Sequence, residues 1–220
     1  MNDHGKRLAA LDVCVVSDAL DALGLPGAVA GVLPVWEGSR LAGRIIPMRT
    51  VPAQGRTSTQ HLGTAAIERA KPGDIIVVEQ AGAGAAPVSA TWGGLLAQAA
   101  RLRDIGGIVI DGACRDVDEI RELGLPVSAR TAVPFTARGR YVEDTVGRPI
   151  RVGEVTVADG DWVVADASGV AFIAASRIED VLRHAERLVA KERLMAEGLR
   201  RGDLPSAVLG RDYEEMLNGQ

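Results

Sequence analysis

The stretch Thr91-Trp92-Gly93-Gly94-Leu95-Leu96-Ala97, taken with Ile108-Val109-Ile110-Asp111-Gly112-Ala113-Cys114-Arg115-Asp116, decides the fold of this chain. Just upstream, Ile75-Ile76-Val77-Val78-Glu79 follows Pro72-Gly73-Asp74. That run is too short for a helix and rich in β-branched residues, so it reads as a buried strand. Residues 95–105 place Leu95, Leu96, Ala99, Leu102 and Ile105 at helical spacing. Residues 107–111 are a second buried strand, and Val117 to Leu123 a second helix stopped by Gly124. The order is strand, glycine loop, helix, strand, polar loop, helix. Such alternation implies parallel strands with right-handed crossovers. Both loops then open at the carboxyl ends of neighbouring strands, where open α/β sheets place their ligands.

The two loops are chemically complementary. Gly93 and Gly94 lack a Cβ and allow close approach to the backbone just before a helix. The first amides of that helix are unpaired and sit at the positive end of its dipole, which suits a carboxylate or phosphate. Arg115 is a two-pronged oxyanion donor. Asp116 is a hard oxygen ligand of the kind Mg²⁺ or Mn²⁺ takes. Each residue also has a plainer reading. Asp116 with Glu119 has the spacing of a capping box. Arg115 alone reads as a surface or ion-pair arginine, and Gly93-Gly94 as a turn. Joint placement favours a pocket for a 2-oxo acid and its enolate.

Gly-Gly-Leu-Leu-Ala-x-Ala-Ala followed by Gly-x-Val-x-Asp-Gly-x-x-Arg-Asp resembles the RraA-like family. That family includes the ribonuclease E regulator A and the divalent-metal 4-hydroxy-4-methyl-2-oxoglutarate aldolases, which also decarboxylate oxaloacetate. Val16-Ser17-Asp18-Ala19-Leu20-Asp21-Ala22-Leu23-Gly24, Lys71-Pro72-Gly73-Asp74-Ile75 and the stretch Asp159 to Val170 are similar to further family segments. The resemblance covers roughly residues 8–200. It implies an α/β swivelling β/β/α fold, with a parallel β-α-β core, an added antiparallel β section and a long C-terminal helix. It implies that Gly93, Gly94, Leu95 and Leu96 hold a substrate carboxylate through backbone amides. Arg115 would bind the 2-oxo oxygen, and Asp116 would hold Mg²⁺ or Mn²⁺ with waters. Family aldolases tend to carry an acid where this chain has Gly94, so decarboxylation is expected over aldol cleavage. Asp111 is a candidate for positioning the water that protonates the enolate. The competing expectation is a non-catalytic regulator that binds and inhibits an enzyme such as a ribonuclease.

Composition bounds these readings. The 220 residues are 47% hydrophobic, enough for one domain over 1–200 with a polar tail over 201–220. The 26 glycines exceed the usual ~7% and suit many tight turns. A net charge of −4 without a Lys/Arg run argues against a nucleic-acid partner. No apolar run approaches the ~18 residues of a membrane span. The N-terminus lacks a leader's apolar core. Two cysteines, Cys14 and Cys114, suit a cytoplasmic protein.

Elsewhere the patterns predict a helix near 17–23 with a shorter piece before it, and a strand over Gly43–Val51 whose Pro47 signals an edge or bulge. A helix is expected over Thr57–Ala70, with His61 on it as a solvated or packed residue. Gly82-Ala83-Gly84 follows a strand but lacks the third glycine of a dinucleotide fingerprint. Leu125–Ser128 reads as a short strand, residues 129–150 as irregular and Arg-rich, and Val152–Val157, Trp162–Ala165 and Val170–Ile173 as three strands. Ser176-Arg177-Ile178-Glu179 has the spacing of a capping box opening a helix to about Glu197. Glu192 falls in the apolar stripe of that helix. It is either solvated beyond the core or, as the family resemblance implies, reaches a neighbouring subunit's metal through water in a homotrimer or dimer of trimers. A short helix is expected near Tyr213–Leu217.

Overall fold

The computed structural model describes residues 3–58, 60–84 and 87–210. Two helices, α1 (Asp3–Ala9) and α2 (Val13–Ala22), open the chain. The Asp12 carboxylate accepts the Val15 amide at 2.9 Å and starts α2 four residues before the expected helix, so Ser17 and Asp18 lie inside it. Short strands β1 (Ala28–Val29) and β2 (Leu33–Pro34) lead to the long β3 (Leu41–Pro52). Then come α3 (Thr64–Arg69), β4 (Ile75–Gln80), β5 (Ala90–Trp92), α4 (Gly94–Leu102), β6 (Gly107–Cys114), α5 (Val117–Glu122) and β7 (Val127–Ala132). The remainder is β8 (Tyr141–Val146), β9 (Ile150–Val152), β10 (Val155–Val157), β11 (Trp162–Asp166), β12 (Gly169–Ile173), α6 (Ile178–Arg201) and α7 (Pro205–Val208).

One mixed sheet runs β1-β12-β11-β3-β4-β6-β7-β2, with β5 added to β6 and β8 to β3. Its centre, β3-β4-β6-β7, is parallel. Ile75, Ile76, Val77 and Val78 are all fully buried, because helices cover one face of a parallel strand and other apolar layers the opposite face. Ile76 and Val78 face α3, α4 and α5, while Ile75 and Val77 join the cluster that includes Ile150, Val152 and Val157 of β9 and β10. A third cluster packs α1, α2 and α6 on β11 and β12. The expected α/β class, antiparallel addition and long last helix are all present.

Several local expectations change. Pro47 lies on neither an edge nor a bulge: one side of β3 pairs with β11 up to Arg44 and with β8 from Met48, so the missing amide falls in the gap between partners. The bulge of β3 is at Arg49/Thr50. The helix expected from Thr57 begins only at Thr64, because Gly63 adopts a left-handed backbone (φ 87°). Thr91 and Trp92 form β5 rather than loop. Residues 129–150 contain the rest of β7 and all of β8, and Val152–Val157 is a hairpin turning at Gly153 (φ 55°). Ser176 does not form a capping box. Residues 175–177 make a 3-10 turn, and the Glu179 carboxylate is drawn to Arg7 at 2.8 Å. The helix α6 runs on to Arg201. The short helix expected near Tyr213–Leu217 lies outside the described residues. Among the described residues, no helix is long and apolar enough to cross a membrane.

Candidate active site

The two loops named by the sequence meet at the carboxyl edge of β6. The Arg115 amide donates to the Trp92 carbonyl at 3.0 Å, which ties the β6–α5 loop to the end of β5. Gly93 is extended and α4 begins at Gly94. Both glycines are required by close approach. A Cβ on Gly93 would lie 2.8 Å from Asp116 Oδ2 and 3.1 Å from the Arg115 side chain, and one on Gly94 would run into the Glu119 carboxylate.

Asp116 holds the corner. Its backbone is left-handed (φ 57°, ψ 42°), a conformation disfavoured for any residue with a Cβ but tolerated best by Asp and Asn. The turn aims the carboxylate away from its own helix: no side-chain cap forms on α5, so the capping-box expectation with Glu119 is not met. Instead Oδ2 accepts the Gly94 amide at 2.9 Å and faces Arg115 Nε at 3.3 Å. Strain of this kind persists where the surroundings over-determine it and is a recognised mark of functional corners.

This geometry changes the expected anion cradle. Of its four residues, Gly94 gives its amide to Asp116. Leu95 and Leu96 lie in the first turn of α4, where amides have no intrahelical acceptor, and the ladder starts with Ala97 donating to the Gly93 carbonyl at 3.0 Å. With the Gly94 amide taken by Asp116, the amides of Gly93, Leu95 and Leu96 remain as the candidate cradle.

A cavity of about 680 Å³ opens on this corner, lined by Gly93 to Leu96, Arg115, Asp116 and residues of the segments 56–58, 60–62, 136–139 and 141–142. Arg115 and Asp116 are each partly exposed in its wall (40% and 37% of the side chain). Thr91 Oγ1 and Trp92 Nε1, both buried and on cavity-lining residues, have no hydrogen-bond partner among the described residues. Burial pushes the neighbouring Cys114 thiol up to about 11, which keeps it protonated and a poor nucleophile.

One residue expected here, Asp111, is elsewhere. Asp111 lies in a second cleft, where its carboxylate accepts Arg130 Nε and the Gly153 amide, each at 2.7 Å. A carboxylate so committed, and absent from the lining of the Arg115 cavity, is not placed to position a water there. Glu192 sits on α6, half-buried, with its carboxyl held above the usual range by burial and then by the charges of Asp12 and Asp18. It does not line the Arg115 cavity of its own chain. Conversely, the cavity is also lined by His61, expected as a solvated or packed residue, by Arg138 of the Arg-rich stretch and by Arg56, which carried no sequence signal, and Glu119 lies against Gly94. Arg56 is turned onto the Pro52 and Ala53 carbonyls, whereas the Arg138 guanidinium has no partner among the described residues. The glycines at 55 and 63 are the sequence signal that chain near this cavity turns rather than continuing as helix, and Gly63 packs against Trp92 and Leu96.

A mixed sheet of this order, with a helix start and an Arg-Asp corner meeting at the carboxyl end of β6, defines an α/β protein whose cavity opens at the carboxyl edge of its parallel strands. The sequence model of the RraA-like family, described as Aldolase/RraA, matches residues 13–172, and the chain belongs to that family. It is 30% identical over 177 residues to a Halalkalibacterium halodurans protein named as a provisional 4-hydroxy-4-methyl-2-oxoglutarate aldolase, covering 80% of this chain and 79% of that one. It is 29% identical over 168 residues to Protein DlpA of Legionella pneumophila, covering 76% of this chain but only 27% of that protein's length. Among solved structures, Streptomyces coelicolor RraAS2, described as an unusual member of the RNase ES inhibitor RraA family, superposes with a TM-score of 0.78 at 24% identity, covering 88% of this chain and 96% of that one. That likeness establishes the shared fold.

Proposed function

We propose that this chain is a divalent-metal-dependent lyase that cleaves a carbon–carbon bond in short 2-oxo acids to give pyruvate. The observation that carries this reading is the convergence on one cavity of the Arg115 guanidinium, the Asp116 carboxylate and the amide end of α4. The Leu95 and Leu96 amides bind the substrate carboxylate. Arg115 donates to the 2-oxo oxygen, and its charge matters most as that oxygen becomes an enolate, so the interaction strengthens towards the transition state. When C3–C4 breaks, by loss of CO₂ or by retro-aldol cleavage, the electron pair enters the pyruvate enolate beside Arg115.

Asp116 fits a hard cation. Its Oδ1 is uncommitted and it faces the cavity, while no cluster of three or more His, Cys, Asp or Glu surrounds it among the described residues. That donor set suits an ion such as Mg²⁺ that is held by one carboxylate and keeps its waters and substrate oxygens. The metal would supply Lewis-acid polarisation of the 2-oxo group. A homotrimer or dimer of trimers, with Glu192 reaching a neighbouring subunit's site through water, belongs to the same proposal. Its support is that Glu192 is half-buried with only acidic charges acting on it.

The test is pyruvate formation from oxaloacetate and from 4-hydroxy-4-methyl-2-oxoglutarate with Mg²⁺, with Mn²⁺ and with chelator, alongside Arg115→Ala and Asp116→Ala. Chelator-sensitive turnover lost in both variants is expected; full activity in Arg115→Ala would sink the mechanism. A second reading, a non-catalytic module that binds and inhibits an enzyme such as a ribonuclease, draws on Leu95 and Leu102, each 79% exposed on α4. Metal-dependent turnover would remove it.

A further inference from the structure

The Arg115 cavity contains one imidazole that the mechanism above leaves unused. His61 lines its wall. The residue is exposed, yet its position is held from several directions. Its ring Nδ1 lies 2.8 Å from the Leu62 carbonyl, so the tautomer that satisfies this contact carries its proton on Nδ1 and leaves Nε2 as an acceptor. Nε2 has no partner among the described residues. The His61 carbonyl accepts the Thr64 hydroxyl at 2.8 Å and the Thr64 amide at 3.3 Å. The next but one residue, Gly63, donates to Glu143 Oε2 at 2.7 Å. A Cβ on Gly63 would lie 3.2 Å from both Trp92 and Leu96, so the segment carrying His61 sits directly on the hinge that forms the cradle.

Retro-aldol cleavage needs a group to take the proton of the 4-hydroxyl. Arg115 is always a donor, and Asp116, whose Oδ2 accepts the Gly94 amide and faces Arg115, has its remaining oxygen assigned to the cation in the lyase reading. We infer that His61 is the proton-transferring residue of this pocket, an inference that rests on the lyase reading above. Nε2 accepts the 4-hydroxyl proton, C4–O becomes a carbonyl, C3–C4 breaks, and its electron pair enters the enolate held by Arg115. The imidazolium then returns the same proton to C3. Pyruvate and a carbonyl product leave, and no other reactant is consumed. Decarboxylation has no hydroxyl proton to remove and C3 takes its proton from solvent water, so it depends on His61 less.

His61→Asn keeps a donor towards the Leu62 carbonyl and removes Nε2. The expected result is a fall of about 10²–10⁴-fold in retro-aldol kcat with KM changed by less than about threefold, the range of general acid–base catalysis. Oxaloacetate decarboxylation falls less, shifting the ratio of the two activities by at least about tenfold. In His61→Ala, added free imidazole restores part of the retro-aldol rate. Retro-aldol activity of His61→Asn within about threefold of the parent, or a His61→Ala defect indifferent to imidazole while Glu119→Gln carries the loss, would overturn the assignment in favour of the carboxylate against Gly94. Turnover that needs Arg115 but ignores His61 removes this inference alone. Absence of turnover in the unmodified protein removes the lyase reading and this inference with it.

Discussion

Two clefts open at the carboxyl edge of β6, and their charges are organised in opposite ways. In the cleft around Asp111, the charged groups are matched. Asp111 takes Arg130 and the Gly153 amide, Glu79 takes Arg49 at 3.3 Å and the Arg151 amide at 3.0 Å, and Arg151 pairs with Glu154 at 2.7 Å. In the cleft around Asp116, among the described residues, the Arg115 guanidinium has one ion-pair contact, at 3.3 Å, the Arg138 guanidinium has no partner, and Thr91 Oγ1 and Trp92 Nε1 are buried without one. Satisfied charges hold a fold together, while polar groups left unsatisfied beside a cavity are poised for a ligand. Asp111 on β6 is thus an ion-paired carboxylate, while Asp116, two residues past the end of that strand, faces a cavity with fewer partners.

The sharpest way to break this contrast is Arg115→Ala. Turnover should fall about 10²–10³-fold, the cost of removing one oxyanion donor, with the thermal midpoint unchanged. Gln80→Leu comes next. Buried Gln80 donates to the Ser89 carbonyl and accepts the Ala113 amide, each at 2.8 Å, and so braces the segment leading into β5 against β6 between the two clefts. Leaving those groups unpaired should cost about 1–3 kcal/mol and lower turnover as well, which a melt and an assay read together. Asp111→Asn should cost about 1 kcal/mol in the melt and leave turnover intact. Lost turnover at unchanged stability would move Asp111 into the chemistry.

The smallest effect is expected at Glu192. Its raised carboxyl binds a proton more tightly folded than unfolded, so that contribution to stability is present at low pH and is lost as pH rises through the carboxylate range. Glu192→Gln should therefore raise the thermal midpoint at neutral pH, with the gain vanishing below about pH 4. Turnover falling in the same variant would place Glu192 at a neighbouring subunit's site.

Much of this molecule follows from local pattern. The runs 75–79 and 107–111 are β-branched and bounded by turn residues, so burial on both faces leaves them little choice but parallel strands. Gly93-Gly94 before an amphipathic segment, and Arg115-Asp116 after a buried strand, could be placed at one edge because parallel strands put their carboxyl ends together. Pattern reading failed where a side chain answers to a distant partner. Asp116 and Glu119 have the spacing of a capping box, but the left-handed turn at Asp116 sends its carboxylate to Gly94, and the Glu119 carboxylate also comes to rest against Gly94. Ser176 and Glu179 have the same spacing, but Glu179 answers to Arg7. That His61, exposed as expected, also lines the Arg115 cavity could not be read locally, because Gly63 packs on Trp92 and Leu96 some 30 positions away. The sequence by itself determined which strands form the centre and which residues end them. Only the tertiary structure decided which of the charges at those ends are neutralised and which are left to meet a ligand, because pairing depends on distances in space that residue spacing does not encode.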